Sequence, residues 1–196
     1  MIAQLNRAAL AFLLTLGLAA CGGGDDTASN AVAETPTERD LPTVAIGKSA
    51  KGNDLEITIK SVETQSKVGV YGMGPTLSPD ETFVVVRYTI KNVGSAPVDR
   101  GNQPDIKLID GNSQEYAEDG EAEMLEAIKN NDDTGTLNPN VTYKKTAVWR
   151  LGKASFDKAT WRVKVPLDTT TDATIEKIAR WPLDSKAPAP LMFALK

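Results

Sequence analysis

Apolar side chains recur at every second position along several stretches of this chain, a period that suits strands with one buried face far better than helices. Leu55, Ile57 and Ile59 alternate with Glu56, Thr58 and Lys60, and Val84, Val86, Tyr88 and Ile90 alternate with Val85, Arg87, Thr89 and Lys91. Val141, Tyr143, Ala147, Trp149 and Leu151 share a face interrupted by Lys145, while Trp161, Val163 and Val165 alternate with Arg162 and Lys164. Ile106 and Leu108 form a shorter stretch that runs into a turn at Asp110-Gly111, a pair suited to positive φ. Gly, Pro and Asn punctuate these strands and no long helices alternate with them. The pattern predicts an all-β fold, an antiparallel β-sandwich.

The residue inventory restricts the chemistry. Among 196 residues there is no His and one Cys, which excludes Ser-His-Asp and Cys-His nucleophile systems and any His-ligated zinc or copper site. A Ser-x-x-Lys arrangement is also missing; the nearest pairs are Ser49 with Lys51 and Ser66 with Lys67. No cofactor is expected and no catalytic residue is assigned. Carboxylates are abundant enough to draw hydrolase-like pairs, but sequence cannot supply their separation across a cleft.

The amino terminus gives an address. Arg7 precedes an apolar run from Ala8 to Ala20, shorter than the ~20 residues a permanent membrane span needs and suited to an export signal. It ends in Leu18-Ala19-Ala20-Cys21 followed by Gly22-Gly23-Gly24, and in this respect the chain resembles the bacterial lipoproteins. The resemblance implies cleavage between Ala20 and Cys21 and lipidation of Cys21 by acyl chains of the palmitate kind. Several such chains give stable anchoring where one gives marginal binding. Gly22 in place of Asp implies, by the same resemblance, the periplasmic face of the outer membrane in preference to the inner membrane. A thiol used for lipid leaves no disulfide, so the exported domain must be held by its core.

Residues 1–20 thus read as signal peptide, 21–42 as lipidated Cys plus tether, and 43–196 as the sandwich domain. The tether is small, polar and acidic, with Asp25, Asp26, Glu34, Glu38 and Asp40 against Arg39, and it cannot bury enough surface to order itself. It carries most of the chain's net negative charge and leaves the domain from Thr43 nearly neutral. The absence of basic clusters argues against a nucleic-acid partner.

A second resemblance rests on the order of Leu55-Glu56-Ile57-Thr58-Ile59, a long Gly/Pro connection, Phe83-Val84-Val85-Val86-Arg87-Tyr88-Thr89-Ile90-Lys91-Asn92, Ile106-Lys107-Leu108-Ile109-Asp110-Gly111 and Leu137-Asn138-Pro139. Over roughly Lys51 to Val165 the chain is similar to a bacterial family of unknown function with an immunoglobulin-like fold. Asn140 stands where that family usually has Gly, a mild departure because Asn tolerates the left-handed region. The resemblance carries hydrophobic pattern, so it implies fold and export rather than a reaction.

Two segments could carry function. Residues 65–81 have three glycines and two prolines yet contain Val68, Val70, Tyr71, Met73 and Leu77. The apolar residues are expected to fold back over the sandwich, and Tyr71 and Met73 are the candidate binding residues if the loop presents any. Asp110 to Ile128 contains seven carboxylates and no Lys or Arg, with Asp132-Asp133 beyond. Part of it reads as a short helix capped by Asp119, with Glu121 and Glu123 in its first turn and Met124, Leu125 and Ile128 facing inward. The acids read as a solvated face; their spacing matches no calcium loop, and no metal site is assigned. After Val165 the chain is irregular, with Ile175, Ile178 and Trp181, and its apolar end Pro188–Leu195 is expected to dock as an edge strand.

Together these features predict a lipid-anchored envelope protein whose sandwich is a non-enzymatic binding domain, with the membrane as one partner through Cys21 and an envelope protein as the other. An immunity or inhibitor lipoprotein is the first alternative, and a carboxylate-based hydrolase the second.

Overall fold

The computed structural model describes residues 41–70, 73–167 and 189–196; Ala20, Cys21, the tether, Tyr71 and the stretch with Ile175, Ile178 and Trp181 lie outside them. In chain order the elements are β1 (Thr43–Val44), β2 (Ser49–Gly52), β3 (Leu55–Gln65), β4 (Glu81–Asn92), β5 (Lys107–Ile109), β6 (Glu115–Tyr116), helix α1 (Gly120–Asn130), β7 (Thr142–Gly152), β8 (Arg162–Val165) and β9 (Leu191–Ala194). They form two sheets, ordered β2-β3-β4-β7 and β1-β9-β8-β5-β6. The expected β-sandwich with one short helix is therefore the fold. Every strand pair is antiparallel except β1–β9, which is parallel.

The period-two residues meet between the sheets. Ile57, Ile59, Val84, Val86, Ile90 and Trp149 from one sheet pack on Leu108, Val163, Val165 and Phe193 from the other in one buried cluster. Each such side chain contributes roughly 1.5–3 kcal/mol when fully buried. Trp149 satisfies its indole by donating Nε1–H to the Tyr116 carbonyl at 3.0 Å, so the largest core residue leaves no orphan donor. A register shift between Ile59 and Ser61 inserts one residue into β3 and changes which parity faces inward. Before it Leu55, Ile57 and Ile59 are buried; after it Val62 is, opposite Val86.

Several local expectations are met and others corrected. Asn140 adopts φ 63°, the left-handed turn expected of it, and its N–H donates to the Asn92 carbonyl at 2.7 Å. At the β5–β6 turn the positive φ belongs to Ser113 and not to Gly111, because Asp110 Oδ1 accepts from the amides of Asn112 and Gln114 and sets the turn itself. Val141 lies just outside β7 and is exposed, so it does not join the inner face. The C-terminal segment does pair with the sandwich, but between β1 and β8 and not at an edge. Met192, Phe193 and Leu195 are buried there.

The outer face of the four-stranded sheet departs most from a simple alternation. Phe83, Val85 and Val148 point away from the main core and are fully buried, in a second small cluster with Val68 of the 65–81 loop and Ala122 of α1. The run Phe83-Val84-Val85-Val86 is apolar on both parities because both faces of β4 are covered at that height.

The connectivity also fixes which flank faces which way. The consecutive strands β1 and β2 stand at one flank of the two sheets, and β6 and β7, joined through α1, stand at the other. The helix therefore lies on the flank away from β1, the first described strand.

Candidate functional site

The helix and the 65–81 loop form one surface on the outer side of β4 and β7. Asp119 starts α1: its Oδ1 accepts from Ala122 N at 3.1 Å, and its Oδ2 takes Arg150 Nε at 2.9 Å and Nη2 at 2.7 Å. Glu121 and Glu123 fall in the first turn and Lys129 in the last, each favourable to the helix dipole, and Asn131 at φ 52° ends it. The start of the helix is the expected one. The expected inward face is not the one observed: Ala122 and Glu126 are buried, while Met124 is 57% exposed, Ile128 60% exposed and Leu125 half-buried. The helix is turned because Ala122 is small enough to sit on Phe83, Val85 and Val148, and because Glu126 meets Arg87 of β4 beneath it.

Glu126 is the buried joint between helix, sheet and loop. Its Oε1 pairs with Arg87 Nη2 of β4 at 3.1 Å, Lys129 Nζ lies 3.0 Å from both its oxygens, and Gly69 N–H of the loop donates to Oε2 at 3.2 Å. Burial pushes its carboxyl up, but Lys129, the Gly69 amide and Arg87 together outweigh that and hold it below the ordinary glutamate range. Gly69 sits at φ 101°, and a side chain there would run into the Met73 carbonyl where the loop closes on itself through a Val70–Met73 bridge. Val68 and Leu77 fold back onto the second cluster as expected, whereas Met73 is 57% exposed beside Lys129 on a depression of about 480 Å³.

On the other side of α1 the acidic segment does specific structural work along β7. Asp133 returns its N–H to the Lys144 carbonyl at 3.0 Å and accepts Lys144 N–H on Oδ2 at 2.6 Å; Asp119 N–H bonds the Val148 carbonyl at 2.7 Å. The Asp132 carboxylate hydrogen-bonds Thr146 between them, while its Oδ2 is buried without a partner. The outward polar groups of this strand are thereby occupied at three successive outward-facing positions. A depression of about 580 Å³ opens here, walled by Met124, Ile128, Glu123, Asp132 and Lys145 among others.

Glu118 and Glu123 are hydrogen-bonded to each other beside it. Burial first, then the charges of Glu123 and Asp105, push Glu118 up to about 9, so it is the protonated partner that donates to Glu123. Glu123 is also raised, by burial and by Asp105 and Asp132 against the stabilising bond from Glu118. Burial raises Tyr88 and lowers Lys145 at the same place, with Glu118 and Arg100 adding to the respective shifts. Among the described residues no three His, Cys, Asp or Glu side chains converge to hold a metal ion.

The structure thus places Met73 at the surface beside the helix, while Cys21, Ala20 and Tyr71 lie outside the described residues. Sequence reading missed Glu126, Arg87 and the exposed pair Met124 and Ile128. The available signal was the continuous apolar run Phe83–Val86, which requires a cover on the outer face and so a small residue on whatever covers it.

A two-sheet domain with no metal centre among its described residues and a helix-and-loop face on one flank belongs to the class of β-sandwich domains that carry loops and short helices on a rigid frame. The chain belongs to the family described as Domain of unknown function (DUF4352), which matches residues 44–150. It is 31% identical over 130 residues to the uncharacterized protein YxkC of Bacillus subtilis (strain 168), covering 64% of this chain and 72% of that protein. Among solved structures it resembles a conserved hypothetical protein from Bacillus anthracis, with TM-score 0.54, 26% identity, and coverage of 62% of this chain and 87% of that one. The yjhA protein from Bacillus subtilis shares the fold at TM-score 0.51 and 17% identity, over 78% of this chain and 99% of that one.

Proposed function

We propose that this protein is a lipid-anchored, non-enzymatic binding module of the cell envelope, tethered through Cys21 and using the face made by α1 and the 65–81 loop to engage a protein partner. The observation that carries the binding reading is the orientation of α1, which gives Met124 and Ile128 to solvent on one side of the helix, with Met73 exposed on its loop side, while it buries Glu126. Exposed apolar side chains gathered on one face mark interaction sites on soluble domains. The lipobox Leu18-Ala19-Ala20-Cys21 supports the anchor, and Gly22 supports the periplasmic face of the outer membrane. Among the described residues no helix is long and apolar enough to cross a membrane.

Pull-down of the full chain from intact envelopes tests both parts. The native protein is expected in the detergent phase with a stoichiometric partner, and Cys21→Ser is expected to move it to the aqueous phase. A Cys21→Ser protein still in the detergent phase would contradict the anchor. Unchanged partner recovery after Tyr71→Ala with Met73→Ala would remove the loop from the binding face.

The Glu118–Glu123 pair favours one second reading, a carboxylate hydrolase, because two close acids with raised pKa values beside a depression are what such a site needs. Their direct hydrogen bond is closer than the roughly 5–10 Å that glycoside hydrolysis requires, and of the two only Glu123 stands on the wall of the depression. Glu118→Gln keeps that hydrogen bond and removes the acid, so partner recovery that survives it supports binding over hydrolysis.

A further inference from the structure

A helix whose task is only to cover a sheet puts its largest aliphatic residues against that sheet. In α1 two of the three largest aliphatic residues break this rule: Met124 and Ile128, one turn apart, form an exposed ridge, Leu125 is half-buried, and the buried positions are an alanine and a glutamate. Such a conflict between local pattern and overall fold is expected at functional positions. Carboxylates surround the ridge: Glu121 is exposed in the first turn, and Glu123, Asp132 and Asp133 line the adjoining depression of about 580 Å³ with Arg100 and Lys145. The helix's own cation, Lys129, is already committed to Glu126, and Asp132 Oδ2 has no hydrogen-bond partner.

We infer that the Met124–Ile128 ridge docks a protein segment that is apolar on one side and carries Lys or Arg along its margin. The inference rests on the binding reading above and names the chemistry of its partner. The aliphatic stems of Lys and Arg lie along Met and Ile while their charged ends reach flanking carboxylates, which is how an apolar ridge with an acidic rim is matched. Methionine adapts its shape to such side chains without a fixed pocket. A second copy of this chain is disfavoured, since an isologous contact would set the same carboxylates against one another. An anionic lipid surface or a nucleic acid meets the same repulsion.

The test uses the full chain in intact envelopes with a photo-reactive residue at position 124 or 128, and at Lys51 on the opposite flank as control. The expected product is a cross-link at 124 and 128, absent at 51, to a protein segment whose sequenced peptide is net positive and contains large apolar residues. Its yield should fall at least about tenfold at high salt. Glu121→Gln should lower the yield while lowering the melting temperature by only about a few degrees, because that exposed side chain contributes one first-turn charge to the helix and the fold keeps its core. No cross-link, a cross-link to lipid or to a second copy, or capture of an acidic segment overturns the inference. Capture of a protein from position 73 with none from 124 and 128 overturns it while leaving the binding reading standing; silence at all three positions overturns both.

Discussion

The Glu126→Ala protein is expected to lose about 3 kcal/mol of folding stability, measured by urea unfolding at neutral pH, because the change removes the anion shared by two cations, Arg87 and Lys129, and frees a loop amide. Arg87 retains Glu63, its other partner at 2.9 Å, and Lys129 is 42% exposed and can turn to water, so the loss falls below that of a fully buried triad. The effect is not confined to global stability. Gly69 N–H loses its acceptor, and with it the 65–81 loop loses a polar link to α1, so amide exchange at Gly69 should accelerate more than exchange in β3 or β4. Glu126→Gln should recover part of both, since it keeps an acceptor for Gly69 and forfeits the charge. A stability loss below about 1 kcal/mol for Glu126→Ala would show that the joint is dispensable.

The second large effect is a dependence on pH whose sign comes from opposed carboxyls. Glu118 is pushed from 4.5 up to about 9 in the folded protein, chiefly by burial. Its contribution is fully present below the unfolded value and is lost as pH rises toward the folded one, at no more than about 1.4 kcal/mol per unit for one proton. Glu123 and Asp132, also raised by burial, act in the same direction. Glu126 acts oppositely: held below its ordinary value, it stabilises above the unfolded value and fails as pH falls through the folded one. Stability should therefore peak on the mildly acid side and decline by on the order of 2 kcal/mol between about pH 5 and about pH 8. Glu118→Gln keeps the donor to Glu123 without a titrating proton, so it should flatten that decline and raise the melting temperature at alkaline pH. A native curve already flat across the window, or a Glu118→Gln curve with the native slope, would contradict the assignment.

The sandwich was legible because Ile57, Val84, Val86, Ile90, Trp149 and Val163 sit at a period that only a half-buried strand satisfies. The bulge after Ile59 was not, because an inserted residue changes parity without any compositional mark. The C-terminal residues announced a strand through their apolarity, but their place between β1 and β8 depends on pairings far apart in sequence. The helix shows the limit most clearly. Its start followed from Asp119 and the acids of the first turn, which act locally, whereas its rotation was set by Phe83, Val85 and Arg87 some forty residues earlier in the chain. With respect to Met124 and Ile128 the helical pattern was correctly recognised and wrongly oriented, since hydrophobic period locates an apolar face without saying whether this molecule or another one covers it.

The occupied margin of β7 has a consequence for how many such molecules can share a small area. An eleven-residue strand at the border of a sheet is a template on which another chain could continue the ladder. Here Asp119, Asp132 and Asp133 close that border with main-chain and carboxylate groups, and they add negative charge to it. If the chain is anchored as proposed, crowded neighbours on one surface would find this margin already occupied and negatively charged, which disfavours strand-by-strand stacking along it.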